Sequence, residues 1–211
     1  MTKQNPAKVI TGKCRSTFMF TEELRPDEKY PDRAHRCSTG ILISKKDKNT
    51  IKAIEKAIKA AAIKKFGADI KVKSRKFDYP LHDGDEALED GDRDGEEYKN
   101  HYYLNAKAYK IPGLVDTDAQ KVPFDEREEY INSGNYYYFS IVFKGFDVDG
   151  NKGVRVEINN MMFIKEGESL DGRASAEDDF SSYGGGDDDD EDDEEEKTSR
   201  RSKRKGKRSR R

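Results

Sequence analysis

Apolar and polar positions alternate most regularly over residues 135–145, NYYYFSIVFKG, where rings and β-branched side chains follow one another without proline or interior glycine. Such a run predicts a strand. Successive side chains of a strand point to opposite faces, so Tyr137, Phe139, Ile141 and Phe143 share the core face while Tyr136, Tyr138, Ser140 and Lys144 share the other. Residues 149–153, DGNKG, tolerate positive φ and predict a turn, after which residues 154–158 alternate again as a returning half-buried strand that includes Arg155. The two strands pair as a hairpin whose outer face mixes rings, a hydroxyl and cations.

The rest of the chain reads as further strands around one helix. Residues 9–20 alternate so that Lys13, Arg15, Thr17 and Met19 fall on one side and Ile10, Cys14, Phe18 and Phe20 on the other. Residues 24–32, with Pro26 and Pro31, predict a loop, and residues 37–44, CSTGILIS, a strand. Asn49 or Thr50 then caps a helix over residues 50–66, in which Ile51, Ile54, Ile58, Ala61 and Ala62 keep helical spacing, Lys52, Lys56 and Lys59 lie opposite, and Gly67 is the stop. A lysine face of this kind is ordinarily solvated. Residues 70–79, IKVKSRKFDY, predict a strand with Lys71, Lys73 and Arg75 on one face, either a ladder for phosphates or a charged edge that prevents aggregation. Residues 82–97 are acidic and poorly hydrophobic, which predicts a mobile loop. Residues 101–109 set Tyr103, Asn105, Lys107 and Tyr109 on one face, able to stack on bases and bind a backbone, with Tyr102, Leu104, Ala106 and Ala108 opposite.

Composition changes this picture at the C-terminus. Of 211 residues 33% are hydrophobic and 40% charged, too polar for the whole chain to be packed. A Gly-rich linker at 181–186, ten consecutive acids at 187–196 and a basic stretch at 197–211 predict a disordered tail, leaving one mainly β domain over residues 1–180. No apolar run approaches the ~20 residues of a membrane span and the first residues lack a secretory signal, so a soluble intracellular protein with reduced thiols at Cys14 and Cys37 is expected. Residues 1–82 carry 20 basic against 9 acidic side chains, a net +11, while residues 83–97 carry a net −8. A basic first third can form one face for a polyanion, or merely a solvated surface.

Site chemistry narrows the classes further. Asp90, Asp92 and Asp94 with Gly95 match the opening of a calcium loop, but its twelfth position is His101 and no helix flanks it; Cys14, His35 and Cys37 lack the paired spacing of a zinc site. Phosphate-binding, nucleophile-elbow and metalloprotease motifs are missing, and the carboxylates lie in low-complexity runs. The expectation is no metal, no cofactor and no enzymatic activity.

Ser133-Gly134, the strand after it, residues 150–154 (GNKGV), Asn159-Asn160, Gly167-Glu168, residues 171–173 (DGR) and 176–180 (AEDDF), with 112–116 (PGLVD) and 83–85 (DGD) upstream, resemble the single-stranded DNA-binding proteins of tailed bacteriophages. The resemblance spans residues 7–180 and extends more distantly to the T7-type phage protein of the same activity. It implies an OB-type five-stranded barrel with an inserted amphipathic helix, binding single-stranded DNA without sequence specificity in phage replication, recombination or repair, in the cytoplasm of the infected host. The outward cations and rings then become the expected DNA contacts: Lys13, Arg15, Lys71, Lys73, Arg75, Tyr103, Lys107, Tyr109, Tyr136, Tyr138, Lys144 and Arg155. The resemblance also implies an acidic tail that covers the DNA site and recruits replication or recombination proteins, a pattern from which the basic stretch after Lys197 departs; a homodimer is admitted as an assembly state. A metal-dependent nuclease of a phage replication module and an acidic interaction or chaperone protein are the alternatives.

Overall fold

The computed structural model describes residues 5–27, 32 and 34–170. The chain divides into units of residues 1–173 and 174–211, and only the first contains described residues, so the predicted tail lies outside them. In order the elements are β1 (Lys8–Ile10), β2 (Cys14–Arg25), β3 (Arg36–Ser44), α1 (Lys48–Phe66), β4 (Phe77–Asp78), β5 (His82–Asp83), α2 (Gly84–Glu89), β6 (His101–Ala108), β7 (Gly113–Val115), β8 (Tyr136–Val148) and β9 (Asn151–Lys165).

Five of these strands pair in a closed circuit. β2 bonds to β3, β3 to β6, β6 to β9, β9 to β8, and β8 back to β2. The β6–β9 contact is parallel and the others antiparallel, which is the OB arrangement expected, with α1 inserted between β3 and β6. Four short strands decorate it: β1 continues beside β8, β4 and β7 flank β9, and β5 flanks β6.

The β8–β9 hairpin organises the barrel as its pattern predicts. Tyr137, Phe139, Ile141 and Phe143 are buried with Ile41 and Ile43 of β3 and with Ile54 and Ile58 of α1. Each such side chain contributes about 1.5–3 kcal/mol of hydrophobic stabilisation. Val148 pairs with Asn151, leaving Asp149 and Gly150 as a two-residue turn with φ of 51° and 81°. Two residues at positive φ suit the strand twist, so the turn is shorter than the five residues expected and β9 runs to Lys165 rather than 158.

Helix α1 is capped by Asp47, not by Asn49 or Thr50: the Asp47 carboxylate accepts the Thr50 N–H at 3.0 Å, while the Thr50 hydroxyl accepts the Gly12 N–H at 2.8 Å and ties the helix to the β1–β2 link. Gly67 stops it at φ 91°.

Three expectations fail for identifiable reasons. The strand expected over residues 9–20 is broken between β1 and β2 and carries a bulge, because Thr17 pairs with Gly40 and Phe20 with Ser38, so that Phe18 and Met19 together oppose Thr39. Phe18 sits at φ 48°, a left-handed conformation costing about 1–2 kcal/mol, and the Met19 N–H leaves the ladder to bond Ser133 Oγ at 3.1 Å. The core-facing parity changes across the bulge: Cys14 and Ser16 are buried before it and Met19 and Thr21 after it, which leaves Phe18 and Phe20 exposed, while Ile10 is exposed on β1 before the break. Residues 70–79 contain only the two-residue β4. Lys71, Lys73 and Arg75 lie in consecutive turns closed by the Ser74 N–H on Lys71 O and the Phe77 N–H on Ser74 O, so no basic ladder exists. Residues 82–97 are not one open loop. Asp83 caps α2, Lys45 bonds both Asp83 and Asp85 at 2.5–2.7 Å, and the Asn100 N–H donates to Asp85 at 2.8 Å. The bond from Lys45 holds the Asp85 carboxyl below its ordinary range.

Candidate nucleic-acid interface

The barrel brings outward cations and rings together in two places. The first lies where β6, β9 and β8 run side by side. Lys107 pairs with Glu157 in the parallel register, and the Glu157 carboxylate accepts from Lys144 and, at 3.1 Å, from Arg155 Nε. The Arg155 guanidinium stands 6.0 Å from the centre of the Tyr109 ring, which is 45% exposed just beyond the end of β6. Two concavities share Tyr109, Arg155 and Glu157. One of about 200 Å³ is lined further by His82, Asn105 and Lys107; one of about 620 Å³ continues past Lys110, Ile111, Lys144 and Asn160. An open ring beneath a guanidinium, with amide and ammonium groups beside it, can stack an unpaired base and hold its phosphate.

The second place is Tyr136, at the start of β8. Arg15 of β2 and Lys165 of β9 are its cross-strand neighbours, and the cations of Lys165, Lys13 and Arg15 lie 4.9, 5.6 and 6.0 Å from its ring centre. Arg15 is also structural. Its Nε donates to Gly134 O at 3.1 Å and a terminal nitrogen to Glu168 O at 2.8 Å, with the side chain 17% exposed. Gly134, at φ 107°, is required there because a Cβ would meet Glu168 O at 2.0 Å. Tyr138 follows on the same face, partly exposed.

Of the expected contacts, Lys107, Tyr109, Lys144 and Arg155 therefore converge, as do Lys13, Arg15 and Tyr136. Tyr103 does not join them. It is buried, with Tyr98 edge-on at 5.2 Å, His82 stacked at 5.0 Å and Arg93 at 5.1 Å from its ring, so it offers no platform for a base. Burial holds the His82 imidazole below its ordinary pKa. Lys71, Lys73 and Arg75 line neither concavity, and Lys73 lies 3.8 Å from Glu55 of α1. The sequence reading missed Lys165: β9 reaches Tyr136 only after two register shifts, at Ser140/Ile141 and Tyr136/Tyr137, and no simple alternation carries the hairpin through them. Among the described residues no group of three or more His, Cys, Asp or Glu is placed to hold a metal ion, and no helix is long and apolar enough to cross a membrane.

A closed OB circuit bearing exposed rings and cations on its outer face defines a class of barrel suited to unpaired nucleic-acid strands. The family model described as Enterobacter phage Enc34, ssDNA-binding protein, matches residues 7–195. The chain belongs to that family. Among solved structures it is similar to the single-stranded DNA-binding protein from bacteriophage Enc34 in complex with ssDNA, with a TM-score of 0.66 at 15% identity over 78% of this chain and 89% of that one. It is also similar to the C-terminal truncation of that protein, with a TM-score of 0.64 at 17% identity over 78% and 89%. The crystal structure of gp2.5, a single-stranded DNA-binding protein encoded by bacteriophage T7, matches with a TM-score of 0.54 at 13% identity over 83% and 99%. No curated protein matches. The resemblance read from the residues, and the fold it implied, are borne out.

Proposed function

We propose that this protein binds and protects single-stranded DNA without sequence specificity during phage DNA replication, recombination or repair, inside the infected host cell, as a binding protein and not a nuclease. The observation that carries the reading is the exposed Tyr109 ring beneath the Arg155 guanidinium, flanked by Lys107 and Lys144, on an OB barrel of the Enc34 single-stranded DNA-binding family. Unpaired bases stack on Tyr109, a contact indifferent to sequence because every base has a π-face, while the cations attract the backbone. Lys13, Arg15, Tyr136, Tyr138 and Lys165 extend the path at the other end of β9. Residues 1–180 form the DNA-binding domain in this reading, with the acidic run at 187–196 recruiting replication or recombination proteins.

Gel-shift titration of residues 1–180 and of the full chain against single-stranded and duplex DNA of the same sequence tests the proposal. Tighter binding of the single strand by both, with no strand cleavage on adding magnesium or manganese, is the expected result. Equal affinity for the two forms refutes it, and metal-dependent cleavage favours the nuclease. Loss of DNA binding from the tailless domain favours the acidic interaction protein.

A further inference from the structure

The outer side of β2 presents rings that the groove at Tyr109 does not use. Phe18 is 54% and Phe20 41% exposed, and Leu24 follows on the same strand with its side chain also in solvent. Single exposed apolar residues are ordinary, but Phe18 is not. It occupies the bulge position at φ 48°, where glycine fits without strain, and its ring is not repaid by burial. Neither local conformation nor packing accounts for a phenylalanine there, and strained positions of this kind gather where a side chain is held out for a ligand.

The surroundings indicate the ligand. Phe20 pairs with Ser38 of β3, and Ser38 with Lys107 of β6, so one row of outward residues leads from the phenylalanine into the proposed groove. The Arg25 guanidinium lies 4.6 Å from the centre of the Phe20 ring and is bonded to Glu23 at 3.1 Å, while Arg36 pairs with Asp27. With its cations matched by carboxylates, this patch has little net charge to attract phosphate. What it offers is flat apolar area, and the partner that brings flat apolar faces to the rim of this groove is an unpaired base.

We propose that Phe18 and Phe20 form a base-stacking platform that carries the bound strand from the Tyr109 groove across β3 onto β2, lengthening the DNA segment that one protein occludes. This rests on the reading that the barrel binds single-stranded DNA.

The chain has no tryptophan, so Phe18→Trp introduces a sole reporter at the platform. In the full-length protein, oligo(dT) should quench its emission at the stoichiometry seen by gel shift. Phe18→Ala and Phe20→Ala should each weaken binding by about 5- to 150-fold, the range for one lost stack. The salt dependence should be unchanged and the occluded length shorter. Phe18→Gly separates binding from folding, since it should melt at a higher temperature than wild type while binding as poorly as the alanine variant. Wild-type affinity and occluded length in both alanine variants, or an unquenched Phe18→Trp, would sink the platform while leaving the groove standing. Variants that alter only the sedimentation of the protein would make the patch a contact between copies and overturn the assignment. Failure of the wild-type chain to bind single strands would instead remove the reading on which it rests.

Discussion

Two cation–ring clusters stand on β9, and they are held in opposite ways. Toward its start, Lys144 and Arg155 converge on the Glu157 carboxylate, so part of their charge is cancelled before any ligand arrives, while the Tyr109 ring stays open. At its end, Arg15 is fixed by the carbonyls of Gly134 and Glu168, which orient a guanidinium without cancelling its charge, and Glu168 approaches only to 3.9 Å with its own side chain in solvent. Among the described residues no carboxylate pairs with Lys13 or Lys165. The same residue types therefore suit different tasks. The charge left over at Tyr136 favours phosphate, and the open ring at Tyr109 favours a base.

The largest test of that contrast is Arg15→Ala. It removes two charge-assisted bonds to main-chain carbonyls at a mostly buried side chain and should destabilise the fold by about 1.5–3 kcal/mol, read as a lower urea midpoint at constant slope. Arg15→Lys should recover little, because an ammonium lacks the planar fork that reaches both carbonyls. Full stability of the alanine variant would show that the carbonyls do not hold Arg15, and the contrast between the clusters would collapse.

Smaller effects should separate stacking from charge. Tyr109→Ala should weaken single-strand binding by ~1–3 kcal/mol with an unchanged salt slope. Lys13→Ala and Lys165→Ala should each lower the slope of log affinity against log salt by about 0.7. If Tyr109→Ala changes the slope and the lysine variants do not, the two roles are assigned to the wrong ends of β9.

How much of this was legible in the sequence depended on how local each cause was. The β8 run and the α1 spacing are repeated signals along one element, and both elements stand where the pattern puts them. The turn at Asp149 and Gly150 is equally local. Residues 70–79 alternate like a strand, but a strand also needs a neighbour. β9 pairs with β4 only through Lys152 and Gly153 before it meets β6 at Val156 and Glu157. The acidic residues 82–97 read as an open loop because Lys45, which neutralises Asp83 and Asp85, lies about forty positions upstream in the chain. At Phe18 one left-handed residue reverses the parity of a strand, and hydrophobicity carries no trace of it. The site inherits these limits. Alternation found Tyr109, Arg155 and Tyr136, but it also promoted Tyr103, whose cover comes from Arg93 in the misread stretch and from Tyr98 immediately after it.

The smallest effect concerns pH and touches only the groove end. His82 lines the smaller concavity and stacks on Tyr103, and burial pushes its pKa below the ordinary 6.5; Asp78 and Asp92 pull it up less strongly, and Arg93 pushes it further down. A histidine whose folded pKa is depressed is held neutral by the fold. Its contribution to stability is complete above about 6.5 and declines as pH falls from there toward the folded value, because the unfolded chain takes up the proton first. Melting temperature should therefore drop between pH 6.5 and 5.5, a window above the titration of most carboxylates, and His82→Gln should flatten that drop. Among the described residues the side chains set around the Tyr136 ring are those of Lys13, Arg15 and Lys165, so the Arg15→Ala and Lys165→Ala variants should keep the wild-type pH profile. An equal drop in His82→Gln would mean that the acid sensitivity arises elsewhere and that the smaller concavity does not hold His82 neutral.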